Sequence, residues 1–309
     1  MSRAAGIPTR LAAFGVWGSG TGVGKTLVSA GLFAAARRRE LPTLYLKPVQ
    51  TGFPRDSDGA LVAALGGGVA HALGAHAASA ASLPLALADS DARAPCRTLF
   101  AWRDAVGPHL AVEREGRAVG DAEILASTRD ALVAFARGAD ASAPALALVE
   151  TAGGPASPGP SGTLQADLLR PLRLPCVLVG DGGLGGISAT LCAHDALTMR
   201  GLDTPLLVLL DGGLGNEAAI ARHTRRAGTR VFAVPPLAKP AGGGEASTSA
   251  VAEWLRLTAP HFDELLACLG HWQNERLAAL AAAPAEAASV YWWPFTQHAL
   301  AGPVTVIKE

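Results

Sequence analysis

The segment GSGTGVGKT, residues 18–26, decides which fold this sequence predicts. An apolar run, Leu11–Trp17, precedes it, and Leu27–Arg39 follows with apolar residues at helical spacing. A strand, a glycine-rich loop and a helix start in this order are typical of a phosphate-binding P-loop. Five residues separate Gly18 from Gly24, one more than the usual four, but the lysine, the threonine and both flanking elements are present. The segment therefore predicts a nucleoside triphosphate site, with a flexible glycine linker as the simpler alternative.

Each residue type in this loop has a chemical reason to be there. Glycines let the backbone pass close to phosphate oxygens and present several N–H groups to them. Lys25 is expected to reach the β- and γ-phosphates, and the Thr26 hydroxyl is expected to bind Mg²⁺.

The composition excludes several classes of protein. The formal net charge of the 309 residues is zero, which argues against non-specific binding to nucleic acid or to an anionic membrane. No apolar run reaches the roughly 18–20 residues that span a bilayer. The four cysteines lack metal-binding spacing and are expected to be reduced and mostly buried: Cys96, Cys176, Cys192 and Cys268.

Strand patterns and helix patterns alternate along the chain beyond the loop. This alternation predicts an α/β fold of the P-loop NTPase type, with a mostly parallel sheet and helices on both faces. Strands are predicted at 41–49, 145–150, 176–179, 206–210 and 230–234, and helices at 123–137, 187–200, 217–227, 251–269 and near 277.

Charged residues stand at two of the predicted strand ends. Lys47 lies near the end of the second strand, and Glu150 ends an apolar strand where a carboxylate is unusual. Ligands of parallel α/β sheets bind beyond the carboxyl ends of the strands, so both side chains should lie near the P-loop. The simpler alternative for Lys47 is an ordinary solvated residue at the edge of the sheet. The acids of the loop 53–59 are most simply turn residues, with metal binding as the alternative.

Three further segments have unusual composition. Residues 60–95 are Ala-rich and contain three consecutive glycines, which predicts a variable insertion with partial helix. The Pro/Gly/Ser loop 155–162 is a candidate substrate loop. Residues 290–298 contain four aromatic side chains, although aromatic residues are rare in the chain as a whole.

Taken together, these motifs resemble those of dethiobiotin synthetases, and in particular the N-terminal half of the fused dethiobiotin synthetase–diaminopelargonic acid aminotransferases of plants and algae. The matching segments span nearly the whole chain: 18–26, 44–52 (LYLKPVQTG), 57–58, 107–110, 149–162 (VETAGGPASPGPSG) and 179–188 (VGDGGLGGIS). The spacing of the P-loop glycines is shared by this family.

The resemblance implies a specific reaction. The family closes a ureido ring on 7,8-diaminononanoate with CO2 and ATP, and it releases dethiobiotin, ADP and phosphate. It implies Mg²⁺, small-molecule substrates and a homodimer, with no nucleic acid or membrane partner. The plant fused enzymes are mitochondrial, but residues 1–10 show no clear transit peptide, so a cytoplasmic location stays open.

The resemblance also assigns roles to residues. It implies Lys47 and Lys25 as catalytic residues, and Thr26, Asp58 and Glu150 as the residues that hold Mg²⁺. It implies substrate contacts at Thr51, Gly185, Gly186 and Ser188, in a turn, 184–188, that closes the site across a dimer interface. It implies nucleotide contacts at Gly22, Val23, Gly24, Lys25, Thr26, Leu27, Asp58, Glu150, Thr151, Ala152, Gly153, Pro235, Pro236 and Leu237.

The sequence departs from the family in two places. Bacterial members carry an Asn-Asp pair where this chain has Leu210-Asp211, which bears on recognition of the base. Residues 290–309 look like the start of the aminotransferase half, but no aminotransferase body or pyridoxal-phosphate lysine follows. The domain organisation expected is an extension at 1–10, a synthetase-like domain at 11–285 and an aminotransferase remnant at 290–309.

Three alternatives are weighed against this interpretation. Another ATPase of the same fold, such as a partitioning or metal-delivery ATPase or an amidotransferase-type synthetase, would not account for KPVQTG and VETAGG together. A GTPase is disfavoured because no Asn-Lys-x-Asp motif is present. A non-catalytic module of a truncated bifunctional enzyme is disfavoured by the intact set Lys25, Thr26, Lys47, Asp58 and Glu150.

Overall fold

The strand that leads into the P-loop lies near the centre of a single eight-stranded sheet. The computed structural model describes residues 11–72, 94–139, 144–238 and 246–282. The strands are β1 (Leu11–Gly18), β2 (Thr43–Gln50), β3 (Val69–Ala72), β4 (Pro95–Ala101), β5 (Ala145–Glu150), β6 (Cys176–Gly180), β7 (Leu206–Leu210) and β8 (Arg230–Val234). Their order in the sheet is β3-β4-β2-β5-β1-β6-β7-β8, and every pairing among them is parallel. The predicted α/β fold is confirmed.

Helices cover both faces of the sheet. One face packs against α1 (Lys25–Arg38), α2 (Asp58–Gly66) and α8 (Thr248–Ala282). The other packs against α3 (Pro108–Glu115), α4 (Asp121–Gly138), α5 (Gln165–Leu169), α6 (Gly186–Thr198) and α7 (Asn216–Thr224). Short 3₁₀ turns follow α5 at Arg170–Leu172 and α7 at Arg225–Ala227.

The central strands are mostly apolar because both of their faces are covered, and their charged side chains, Lys47 and Glu150, stand toward the carboxyl ends. All residues of β2, β5 and β6 are buried. In a parallel sheet the carboxyl ends of the strands share one edge, so residues that follow β1, β2, β5 and β6 meet there. This edge is where the candidate site lies.

The structure extends the predicted elements in three places. The segment 60–95, predicted as a variable insertion with partial helix, includes most of α2 and the edge strand β3, which pairs with β4 from Val69↔Pro95 onward. The helices α3 and α5 and the strand β4 were not predicted as elements. The two C-terminal helix predictions join in α8, which continues through Pro260 because its buried face packs against the sheet.

Two further predictions from composition can be compared with the described residues. None of the helices there is long and apolar enough to span a membrane. Cys96, Cys176 and Cys268 are buried free thiols, and Cys192 is an exposed one. Burial raises the pKa of Cys96 to about 12, so this thiol stays protonated at neutral pH.

The contact between α1 and α8 makes a testable prediction at Gly31. A Cβ at this position would overlap the ring of Phe262, which is only 1 % exposed and cannot move aside freely. We expect Gly31→Ala to lower the free energy of unfolding by about 1–3 kcal/mol through overpacking. The matched control is Gly270→Ala in α8, where no atom lies within 4 Å of the added carbon.

Urea unfolding of both variants measures the difference. Gly270→Ala should raise the free energy of unfolding by about 0.5–1 kcal/mol, the usual gain from replacing a helical glycine. If Gly31→Ala were stabilising to the same degree, the close packing of α1 on α8 would be contradicted.

Candidate functional site

The P-loop turns directly from β1 into α1. The Ser19 N–H donates to the carbonyl of Val179 at 2.8 Å, which fixes the start of the loop on β6. Gly22 and Gly24 have φ values of 76° and 99°, which side-chain-bearing residues rarely adopt. No acidic residue occupies the first turn of α1, so its N–H groups and the positive end of its dipole are available to an anion.

Lys25 follows this loop as the first residue of α1. Its ammonium donates to the carbonyl of Gly20 at 3.2 Å, and the residue is 8 % exposed. Burial and the neighbouring Lys47 ammonium lower the pKa of Lys25, and the carboxylates of Glu150 and Asp58 oppose that shift. A bound anion would favour the charged form of Lys25 and oppose this lowering of its pKa.

Four predicted site residues converge at the carboxyl edge of the sheet. The Thr26 hydroxyl oxygen lies 3.0 Å from Asp58 Oδ1 and 3.0 Å from Glu150 Oε1. Lys47 Nζ lies 2.7 Å from Asp58 Oδ2 and 2.9 Å from Glu150 Oε1. Residues far apart in sequence therefore form one cluster of two carboxylates, a hydroxyl and an ammonium.

Lys47 is held as a buried cation within this cluster. The residue is 4 % exposed, and its ammonium also donates to the carbonyl of Thr151 at 3.1 Å, so three acceptors surround it. Burial alone lowers the pKa of Lys47, but Glu150 and Asp58 more than offset burial, and the net pKa lies above its usual value. Lys47 therefore carries its positive charge at physiological pH.

Glu150 is fully buried, and both of its carboxylate oxygens have partners. Oε1 faces Thr26 and Lys47, while Oε2 accepts a hydrogen bond of 2.7 Å from the Ser29 hydroxyl. Ser29 was not predicted as a site residue. Its signal in the sequence is its position three residues after Thr26, one turn along the same face of α1.

The donor set of this cluster suits a hard divalent cation. Thr26, Asp58 and Glu150 offer oxygen atoms only, which Mg²⁺ prefers, and a nucleotide bound at the P-loop would place phosphate oxygens nearby. Two carboxylates suffice, since Mg²⁺ usually keeps several waters and takes substrate phosphates as further ligands. A larger group of acidic, histidine or cysteine ligands is absent from the described residues.

The segment after β5 lies against the P-loop. The Thr151 N–H donates to the carbonyl of Val16 at 3.1 Å, and Gly153 has a φ of 92°. A Cβ at Gly154 would stand 3.1 Å from the carbonyl of Gly18, so the two loops approach closely. The predicted contacts at Thr151, Ala152 and Gly153 are thus adjacent to the phosphate-binding segment.

The predicted substrate residues Gly186 and Ser188 lie in the first turn of α6, and Gly185 ends the turn that precedes this helix. This turn follows β6, the immediate neighbour of β1, and Gly185 has a φ of 85°. Asn216 donates through Nδ2 to the carbonyls of Asp181 at 3.3 Å and Gly183 at 2.9 Å, and thereby holds the turn. Sequence reasoning missed Asn216, because its role depends on the packing of α7 beside α6.

The predicted nucleotide contacts 235–237 follow β8, and Leu210, where the sequence departs from the family, ends β7. Pro235, Pro236 and Leu237 follow β8, three strands from β1, and the carbonyl of Pro235 accepts a hydrogen bond from Trp254. The side chain of Leu210 lies against the P-loop, where a Cβ at Gly24 would stand 2.5 Å from Leu210 Cδ1. Leu210 therefore packs on the loop, whereas polar recognition of a base would need another residue.

Thr51 follows β2 at the same edge, next to the buried side chain of Gln50. Gln50 is the third residue that sequence reasoning did not single out, although it lies inside the quoted segment LYLKPVQTG. Its contacts are described below.

Comparisons with known proteins identify a family of similar sequences. Residues 13–239 match the family model described as "AAA domain". The bifunctional dethiobiotin synthetase/7,8-diamino-pelargonic acid aminotransferase of Oryza sativa subsp. japonica, named as mitochondrial, is 40% identical over 98% of this chain and 40% of its own length. The chain therefore spans about two fifths of that bifunctional relative.

Single-domain proteins match as well. The ATP-dependent dethiobiotin synthetase BioD of Methylobacterium nodulans is 33% identical over 71% of this chain and 91% of its own length. Among solved structures, a cell division protein FtsY from Thermotoga maritima aligns with a TM-score of 0.39 and 13% identity over 82% of this chain and 72% of its own.

Proposed function

Since this chain belongs to the dethiobiotin synthetase family, we propose that it closes the ureido ring of dethiobiotin from 7,8-diaminononanoate, CO2 and ATP. The observation that carries the proposal is the cluster of Thr26, Lys47, Asp58 and Glu150 beside the P-loop. A phosphate cradle alone supports any nucleotide-dependent reaction. The buried ammonium at its edge adds a place for a second, anionic reactant.

The reaction follows from the chemistry of the substrates. One amine of the diamine adds to CO2 and loses a proton, which gives a carbamate. A carbamate oxygen attacks the γ-phosphorus of ATP and ADP leaves, so a carbamic–phosphoric anhydride forms. The second amine attacks the carbonyl carbon, expels phosphate and closes the ring. Catalysis of such steps consists mainly of positioning and of neutralising charge.

Each residue of the cluster has a proposed role in these steps. Lys25 neutralises charge on the transferred phosphoryl group, and Lys47 stabilises the anionic carbamate. Thr26, Asp58 and Glu150 would hold Mg²⁺, which when bound neutralises charge on the nucleotide phosphates. Ser29 keeps one oxygen of Glu150 occupied, so the other oxygen faces the reactants.

The remaining assignments follow from family membership. We propose that the nucleotide contacts 22–27, 150–153 and 235–237, and that the diamine contacts Thr51, Gly185, Gly186 and Ser188. We also propose a homodimer in which the turn 184–188 of one subunit closes the site of the other. Leu184, which is 99 % exposed in the single chain, suits such a contact.

Two proposals concern the whole protein. A mitochondrial location is proposed from the plant relative, whose name includes it. Residues 1–10 and 290–309 lie outside the described residues. We propose an N-terminal extension for the first segment and the start of an aminotransferase half for the second, with 11–285 forming the synthetase domain.

A steady-state assay of phosphate release tests the activity. We expect ATP hydrolysis to require 7,8-diaminononanoate, bicarbonate and Mg²⁺ together, and dethiobiotin to appear in equal amount by mass spectrometry. A monoamine analogue serves as the control, because it can form a carbamate but cannot close the ring. Hydrolysis that is indifferent to the diamine would favour another P-loop ATPase, and nucleotide binding without turnover would favour a non-catalytic module.

A further inference from the structure

The side chain of Gln50 is a buried polar group at the end of β2, beside the candidate site. The residue is 5 % exposed, and it stands between Lys47 and the loop that leads to Asp58. We propose that Gln50 is a positioning residue, which holds the main chain of Thr51 and Asp58 so that both face the reactants. This inference rests on the proposed function for its kinetic consequence.

Three hydrogen bonds of the Gln50 amide support the proposal. Nε2 donates to the carbonyl of Thr51 at 2.8 Å and to the carbonyl of Asp56 at 2.9 Å. The Asp58 N–H donates to Oε1 at 3.3 Å. Both amide protons and the amide oxygen are therefore used, and a flipped amide would direct its oxygen at two carbonyls.

These three contacts span the loop between the substrate position and the first residue of α2. The Asp58 carboxylate contacts Thr26 and Lys47. Gln50 therefore binds the main chain of the same residue whose side chain belongs to the cluster. Among the described residues, the side-chain hydrogen bonds of Gln50 reach Thr51, Asp56 and the Asp58 N–H, and none of them ends on a cluster oxygen. The influence of Gln50 on the reaction must pass through the positions of Thr51 and Asp58.

The loop also has main-chain hydrogen bonds of its own. The N–H groups of Gly52 and Phe53 donate to the carbonyls of Asp104 and Trp102, and the Asp56 N–H donates to the carbonyl of Gly52. The loop should therefore persist when the Gln50 amide is removed. The position of Asp58 at the end of the loop would be less strictly fixed. This is the effect expected when a residue that orients a metal ligand is removed.

The variant Gln50→Met tests the proposal, because methionine has a similar length but cannot form the three hydrogen bonds. Gln50→Glu is made in parallel, since its carboxylate can accept from Asp58 but cannot donate to the two carbonyls. The control is Thr229→Val, which removes a buried hydroxyl bonded to His194 at the start of β8, far from the P-loop.

Three measurements separate positioning from stability: urea unfolding, calorimetric binding of ADP with Mg²⁺ and with EDTA, and kcat as a function of Mg²⁺ concentration. We expect both Gln50 variants to weaken the Mg²⁺-dependent part of ADP binding and to raise the half-saturating Mg²⁺ concentration about 10- to 100-fold. Binding of ADP in EDTA should stay within about twofold, as expected for contacts made by the P-loop alone. Thr229→Val should lower only the free energy of unfolding.

The outcomes are distinct. If both Gln50 variants lose stability while their Mg²⁺ response matches the wild type, Gln50 is only a loop stabiliser and the inference is wrong. If the wild type shows no diamine-dependent turnover, the proposed function fails, but the calorimetry still decides whether Gln50 positions Asp58.

Discussion

Replacing Lys47 with glutamine should lower kcat by about 10²–10³-fold and leave ATP binding nearly intact. The ammonium is surrounded by Asp58, Glu150 and the carbonyl of Thr151, and it lies beside the phosphate loop without being part of it. A neutral amide can fill the space but cannot stabilise an anionic carbamate. The measurement is kcat for diamine-dependent hydrolysis beside the dissociation constant of ATP from calorimetry.

This substitution should also change stability in a way that depends on metal. Without Lys47, the carboxylates of Asp58 and Glu150 face each other with no cation between them, a situation that typically costs about 3–5 kcal/mol. Mg²⁺ can replace the missing positive charge, so it should raise the melting temperature of Lys47→Gln more than that of the wild type. Full turnover in the variant would refute the role of Lys47, and an equal Mg²⁺ effect on both proteins would refute the charge argument.

Replacing Glu150 with glutamine should weaken Mg²⁺-dependent nucleotide binding and lower kcat by at least about 10²-fold. Glu150 is fully buried and contacts Thr26, Lys47 and Ser29 at once. Glutamine has nearly the same shape, so any loss reports the charge and the accepted hydrogen bonds of the carboxylate and not the packing. The control is Asp167→Asn, which breaks a surface ion pair with Arg200 and should leave both quantities unchanged.

The same variant should alter the dependence of activity on pH. Burial lowers the pKa of Lys47, and Glu150 and Asp58 together raise it above its usual value. Removing the negative charge of Glu150 removes part of that compensation, so the pKa of Lys47 should fall. As the pH rises, activity that requires the ammonium would then be lost at a lower pH in the variant than in the wild type. Profiles of kcat from about pH 6 to 10 test this, and an unchanged alkaline limb would contradict it.

The framework of the fold could be predicted because buried parallel strands are continuous apolar runs. The predicted bounds 145–150, 206–210 and 230–234 coincide with β5, β7 and β8. The edge strand β3 was harder to recognise, since it is four residues long in an Ala-rich stretch and depends on pairing with β4. The predicted helix 251–269 and the helical region near 277 belong to one helix, α8, which runs without a break through Gly270 between them.

The candidate site could be predicted only in part. Thr26, Lys47, Asp58 and Glu150 stand in motifs, and the structure brings their side chains together. Ser29, Gln50 and Asn216 were missed because each acts on another residue and not on a ligand. Their partners are identified by distances in the folded chain, which the spacing of residues along a sequence does not reveal.

The central place of β1 has a consequence for how this protein is made. Its neighbours in the sheet are β5 and β6, so Leu11 pairs with Ala145 and Gly15 pairs with Cys176. At about 5–20 residues per second, a ribosome needs on the order of ten to thirty seconds to add the chain from Gly18 to Gly180. During that time both edges of the first apolar strand stay open until β5 is made, one edge stays open until β6 is made, and the nucleotide pocket cannot yet exist. The nascent chain is therefore most exposed to misassociation before β6 has left the ribosome.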